Sequence, residues 1–305
     1  MEQAGIKELE EELELLREEV KRLRIMLSHS TPTLEALLKR RGFLIYKKAP
    51  SDDLLMPAEE KRLEGWYEAM KRYSFRLFLR DVIKHQAGFT VEGITRYSTA
   101  GVTGGYTRYL AEAGVLEEED GRYRLKRKKG IRPGSLREVK SFGTTLEWFT
   151  AQVLLHEFQA QAEWGVKLKK KSGSGQGVGG DYDVLARVDG MLLYMEVKSS
   201  PPKQIYPSEI RAFLERARGL APDISVFFMD TELRMKDKIV PMFEEALPPS
   251  GPRPARLYKE LFRIGDDMFI INAKGSVAMN LERVLGHHFG SHRPPALRQN
   301  KTEKN

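Results

Sequence analysis

The 305-residue chain contains no cysteine, which excludes disulfides, thiolate metal sites and cysteine nucleophiles together. No apolar run approaches the roughly 20 residues that a membrane-spanning helix needs. The N-terminus is acidic and heptad-patterned, unlike a signal peptide. These absences predict a soluble, intracellular protein with no membrane partner, cytoplasmic and nucleoid-associated if bound to DNA. The glycine-rich run from Lys171 to Gly180 lacks the Lys-Ser/Thr ending of a phosphate-binding loop, and reads as a flap beside a working surface or as plain disorder. No arrangement of His, Ser or Cys suggests a covalent mechanism. His287, His288 and His292 fall in a stretch that reads as an untidy terminus, with a metal site as the lesser alternative.

What is present is mostly positive charge. Fifty-one Lys and Arg against 43 Asp and Glu give a net charge of +8, which favours a polyanionic partner. The distribution is more telling than the total. Residues 1–20 are acid-rich, whereas Lys126-Arg127-Lys128-Lys129 and Lys167-Leu168-Lys169-Lys170-Lys171 are basic clusters. The length suits two modest domains plus extensions.

Ile6, Leu9, Leu13, Leu16, Val20, Leu23 and Leu27 keep a strict three-four spacing. In that register Glu12 and Glu19 face Arg17 and Arg24 of a parallel partner, so the spacing predicts a coiled-coil homodimer over 1–29; the alternative is a helix folded back on its own domain. Residues 30–72 read as a helical connector. From 73 to 130 the pattern predicts a winged helix-turn-helix. Phe75, Leu77, Phe78, Val82 and Ile83 mark its first helix, and Thr90 caps a short second one. A third helix from Gly101 turns Val102, Tyr106, Tyr109, Leu110 and Ala113 inward and stops at Gly114. A hairpin wing turns at Asp120-Gly121. Arg96, Thr103, Thr107 and Arg108, with Arg122, Arg124, Lys126 and Lys128 of the wing, are then the candidate DNA contacts, joined by Lys169 and Lys170. The alternative is a protein-docking module, favoured by Glu117-Glu118-Glu119.

The chemistry concentrates further on. Asp181-Tyr182-Asp183-Val184 leads through Asp189-Gly190 to Met195-Glu196-Val197-Lys198. Counting outward from the turn sets Asp183 opposite Glu196 and Asp181 opposite Lys198, and alternation gathers all four on one face. Carboxylates and a lysine collected at one end of a hairpin make poor core and a good site for Mg2+ or Mn2+. The lysine can orient a water or stabilise charge on phosphorus. The structural alternative is a solvated charge stripe.

This stretch resembles the signature of the PD-(D/E)XK nuclease superfamily, which pairs an Asp on one strand with Glu-x-Lys on the next. The first strand has no Pro before its acid, so the similarity is to the looser Gly-x-x-Asp form of junction-resolving and Mrr-like members. The resemblance implies an α/β fold with an αβββαβ core, a mixed sheet flanked by helices, over 131–290. It also implies a preceding helix with another acid, which Glu147 supplies and for which Glu157 is the fallback. Asp183 and Glu196 are then metal ligands with the Val197 carbonyl and Glu147, Lys198 positions the attacking water, and Asp181 supports from behind. Residues 248–256 read as a Pro-rich linker, followed by a strand at 268–272, a helix from Ser276 and a disordered tail over 291–305.

The expectation is therefore a dimeric, Mg2+-dependent endonuclease acting on DNA in restriction, repair or recombination. The alternative is a non-catalytic DNA-binding regulator, and RNA cleavage is a third reading.

Overall fold

The structure is a computed structural model describing residues 15, 16, 18, 19, 32–48, 54–94, 98–126, 139, 141–170 and 181–291. Of the predicted coiled coil only Leu15, Leu16, Glu18 and Glu19 are described, as helical and exposed; the remaining heptad positions, Arg96, Lys128 and the loop 171–180 lie outside the described residues.

Thr33 accepts the Ala36 amide and so caps α1 (Leu34–Arg40). Gly42, at φ 81°, turns the chain into β1 (Phe43–Lys47). The predicted helical connector thus holds a strand, which pairs with the end of a longer one through Phe43 and Lys170. Next come α2 (Leu63–Met70), α3 (Tyr73–Lys84), a 3-10 turn at Glu92–Ile94 and α4 (Ala100–Glu112). The strands β2 (Leu116–Glu119) and β3 (Arg122–Leu125) form a ribbon turned by Asp120 and Gly121, both at positive φ.

The C-terminal half begins with α5 (Gly143–Phe158), which Gln159 ends in the left-handed region. Then follow β4 (Gln161–Lys170), β5 (Asp181–Val188), β6 (Met191–Lys198), α6 (Pro207–Leu220), β7 (Ile224–Met229) and α7 (Ile239–Ala246). The expected linker 248–256 is in part β8 (Pro254–Tyr258), paired with β9 (Leu261–Ile264). Last come β10 (Met268–Asn272) and α8 (Val277–Ser291). His287 and His288 lie on this helix, with His288 buried against the Asp266 carbonyl, so they belong to packed structure.

Among the described residues eight strands make one mixed sheet in the order β1-β4-β5-β6-β7-β10-β9-β8. The β6, β7 and β10 pairings are parallel and the others antiparallel. Each face has its own apolar core. One packs Val184, Ala186, Leu193, Met195 and Val197 against α5 and α8, and extends without a break into Trp66, Phe75, Phe78 and Leu110 of the helical module. The other packs Leu185, Leu192, Tyr194 and Phe227 against α1, α6 and α7. The segments expected as 30–72, 73–130 and 131–290 therefore share hydrophobic surface.

A buried ionic clamp adds direction to that packing. Arg76 and Arg80, one turn apart on α3, both reach Asp230, the residue after β7. Arg76 Nε and Nη2 donate to one carboxylate oxygen at 2.9 and 2.8 Å, and Arg80 bonds the other. Asp230 is fully buried and Arg76 is 1% exposed. Arg76 also donates to the Met70 carbonyl at 2.6 Å, and its guanidinium lies over Phe149. The Asp230 amide in turn donates to the Lys198 carbonyl at 2.9 Å. No helix among the described residues is long and apolar enough to cross a membrane.

Candidate active site

Asp189 and Gly190 take φ of 49° and 80°, which suits a two-residue hairpin turn. The ladder they start runs from Val188 and Met191 to Val184 and Met195. There it stops, because both β4 and β5 change face. Ala162 and Trp164 belong to the α5 side, yet Val166 and Leu168 belong to the α6 side; likewise Val184 and Ala186 face α5 while Tyr182 faces α6. Alternation would have kept each set together. The break falls at Gly165, whose φ of 57° is open to glycine and costly for other residues, and at its neighbour across the ladder, Asp183.

This inversion releases Asp183 from the ladder. Its side chain accepts the Val197 amide at 2.7 Å, which ties the two strands where the backbone pairing has ended. Asp181 does not meet Lys198, as simple counting predicted. It is exposed and pairs with Lys167 of β4 at 2.8 Å, so it stands outside the cluster as a surface ion pair.

Glu196 and Lys198 do come together, at 2.9 Å. Both oxygens of Glu196 are engaged: Arg216 Nη2 and Lys198 Nζ approach one, and the Tyr194 hydroxyl donates to the other. Glu196 is only 1% exposed. Lys198 also lies 3.3 Å from Glu209. Tyr194, Glu209 and Arg216 were not among the sequence candidates, although Glu209 and Arg216 lie two turns apart on one face of α6 and Tyr194 shares the strand face of Glu196.

Glu147, on the second turn of α5, completes the group. Burial raises its pKa to about 7, with Glu196 and Asp181 adding and Lys198 opposing. Burial, Glu196 and Glu147 likewise push Asp183 well above the usual carboxylate range, against the Val197 amide and Lys198. Burial would raise Glu196 too, but Lys198 and Arg216 outweigh it and hold this acid ionised. Lys198 is desolvated, yet its carboxylate neighbours keep it charged. Glu157 is elsewhere, accepting from the Tyr67 hydroxyl and paired with Lys71.

Two carboxyls that resist ionising beside a third that is ionised form a donor set suited to a hard divalent cation. Among the described residues, however, no three of His, Cys, Asp and Glu stand close enough to hold a metal ion. The fit thus rests on Asp183 and Glu147, whose buried carboxyls a cation would help to ionise. The Val197 side chain is buried in the α5-side core.

The expected nucleic-acid contacts sort differently. Thr103 and Thr107 are buried: Thr103 meets the Ser98 hydroxyl at 2.7 Å and Thr107 donates to the Thr103 carbonyl. Val102, expected inside, is 43% exposed. Three glycines in α4 leave no continuous apolar stripe to fix its phase. Arg108, Arg122 and Lys126 are exposed. Arg124 is spent on Glu117 and Glu119 at 2.7 and 3.2 Å. Lys169 and Lys170 are exposed near the end of β4, beside β1.

Neither a protein-family model nor a curated protein matches the chain. Among solved structures it is similar to protein VC1899 from Vibrio cholerae, at 16% identity and a TM-score of 0.44, over 67% of this chain and 54% of that one. It is also similar to Can2 from Sulfobacillus thermosulfidooxidans, solved in complex with cyclic tetra-adenylate, at 14% identity and a TM-score of 0.36, over 64% and 50%. The chain spans about half the length of these two structures.

Proposed function

We propose that the protein is a metal-dependent endonuclease of the PD-(D/E)XK type acting on DNA, with residues 73–130 as a winged helix. The observation that carries this reading is the geometry where β5 leaves its ladder: Asp183 accepts the Val197 amide at 2.7 Å and Glu196 lies 2.9 Å from Lys198, with the carboxyls of Asp183 and Glu147 raised by burial beside them. Asp183 and Glu147 would hold Mg2+ or Mn2+ together with the Val197 carbonyl, and Glu196 would join them on giving up a bond to Tyr194, Arg216 or Lys198. Bound there, the cation supplies a Lewis acid for a phosphoryl oxygen and lowers the pKa of water. Lys198, kept charged by its carboxylate neighbours, orients the attacking water and faces the charge that develops on phosphorus. Arg216 and Tyr194 keep Glu196 ionised and fix its direction. The coiled-coil dimer and a role in restriction, repair or recombination belong to the same proposal.

One observation favours a second reading, a non-catalytic nucleic-acid-binding regulator: both Glu196 oxygens are already bonded within the protein. Cleavage of supercoiled plasmid, linear duplex, branched DNA and single-stranded RNA with Mg2+, Mn2+ or EDTA separates the two. The nuclease reading expects metal-dependent cutting that Asp183→Asn and Lys198→Ala each reduce by at least about a thousandfold. Binding without cutting of any substrate sinks it in favour of the regulator.

A further inference from the structure

The first helix of the module carries a line of positive charge that the candidate site does not use. Arg76, Arg80 and Lys84 follow one another at four-residue spacing, hence on one stripe of α3. Their exposure rises along it, from 1% at Arg76 through a 21% exposed Arg80 side chain to an exposed Lys84. Among the described residues Asp230 pairs with the two arginines, and Lys84 stands exposed at the outer end of the stripe, one turn beyond Arg80.

That outer end forms one wall of an open cleft of about 640 Å³, lined by Arg80, Lys84, Gln86, Ser141 and Ser199 among others. Among the described residues the lining holds two cations and two hydroxyls but no carboxylate. Gln86 is committed: its amide accepts from and donates to the backbone of residue 139, which fixes the opposite rim. Arg80 lies over the Phe142 ring at 5.2 Å, and its Nε is buried without a partner among the described residues. The cleft also abuts the start of α5, where Phe142 offers no side-chain cap and Ser141 Oγ accepts the Gly143 amide at 3.3 Å, and where the helix end carries a partial positive charge. Ser199 directly follows Lys198.

By contrast, the outer face of α4 presents Gly101, Val102, Gly105, Arg108 and Glu112, a single cation set against a single acid. The β2–β3 ribbon neutralises Arg124 internally. The outer face of α4 thus offers little to a phosphate chain, and the ribbon offers Arg122 and Lys126 alone.

We propose that this cleft binds a backbone phosphate of the nucleic-acid substrate, with Lys84 as the contacting cation, Ser141 and Ser199 as hydroxyl donors and Arg80 supplying field from behind. Nucleic acid thus enters along α3 and is held next to Lys198, and α4 is not the main contact surface. The proposal rests on the nuclease reading for its substrate class. Its recognition is sequence-independent, because phosphates position a strand and carry no base information.

The test is anisotropy of the full chain with labelled duplex DNA in EDTA over a salt series, comparing wild type with Lys84→Glu and Arg108→Glu, and with circular dichroism to verify folding. Lys84→Glu is expected to weaken binding by about tenfold or more and to lower the salt slope by about one. Arg108→Glu is expected to stay within about twofold. Equal affinity of Lys84→Glu and wild type, a larger loss in Arg108→Glu, or no binding by wild type overturns the proposal. Cleavage assays run in parallel keep the two ideas apart. If wild type binds through Lys84 but cuts nothing with Mg2+ or Mn2+, the nuclease reading fails and the cleft assignment stands. If wild type cuts, Lys84→Glu should raise KM and leave kcat unchanged, and an unchanged KM counts against the cleft.

Discussion

Glu147→Gln isolates the electrostatic tension of the candidate site. In the folded protein burial and neighbouring acids raise the Glu147 pKa from 4.5 to about 7, whereas in the unfolded chain it titrates as an ordinary carboxyl. Between those values the folded state holds the proton more tightly, so stability falls as pH rises across this window and is level above it. The loss is about 3 kcal/mol, at 1.36 kcal/mol per pKa unit. Asp183 is shifted the same way and reinforces it. Glu196 is held low, so its stabilising effect is lost only at pH below the usual carboxylate value, outside the window. Gln keeps the shape of Glu147 and cannot ionise. In EDTA the variant should match wild type near pH 4.5 and exceed it near pH 8, by roughly 5 to 10 °C in Tm. The assay is thermal unfolding followed by tryptophan fluorescence, with the buried Trp148 next to the altered residue. Wild-type and variant curves that stay parallel across the window would refute the argument. At pH 8, Mg2+ or Mn2+ should restore stability to wild type more than to the variant.

Two further outcomes follow from the fold. Asp230→Ala strands Arg76 in apolar surroundings and should cost about 3 to 5 kcal/mol in urea unfolding; a loss under 1 kcal/mol would mean the clamp is dispensable. Gly165→Ala meets a φ of 57° and should cost about 1 to 2 kcal/mol, with cleavage falling by more than stability explains because Asp183 is displaced; intact cleavage would show that the inversion does not position this acid.

The hairpin was legible because its signals agree: Asp189-Gly190 admits positive φ, the strands are apolar between their ends, and Glu196 and Lys198 follow at the right distance. The face change at Gly165 was hidden, since counting assumes unbroken alternation, and it misplaced Asp181. The edge strands β1 and β8 were read as connector and linker because an edge buries little: β1 fully buries only Phe43, and β8 buries no residue fully. Nothing in the sequence distinguishes Arg216 from Arg211 and Arg218 on the same helix, and only the fold sets it against Glu196. Asp230 was likewise unremarked, because nothing in a short Met-Asp-Thr run announces that two arginines 150 and 154 residues away will close on it.

That clamp limits how such a protein can be taken apart. The carboxylate belongs to the sheet and its two counter-charges to the helical module, so neither half is electrically complete alone. Expressing the sheet from residue 131 onward would leave Asp230 without either guanidinium and uncover the apolar surface that Phe75 and Phe78 now shield. A graft of this module onto another sheet would carry two unmatched arginines with it. The two halves are exchangeable only as a set, with α3 and the turn after β7 redesigned in step.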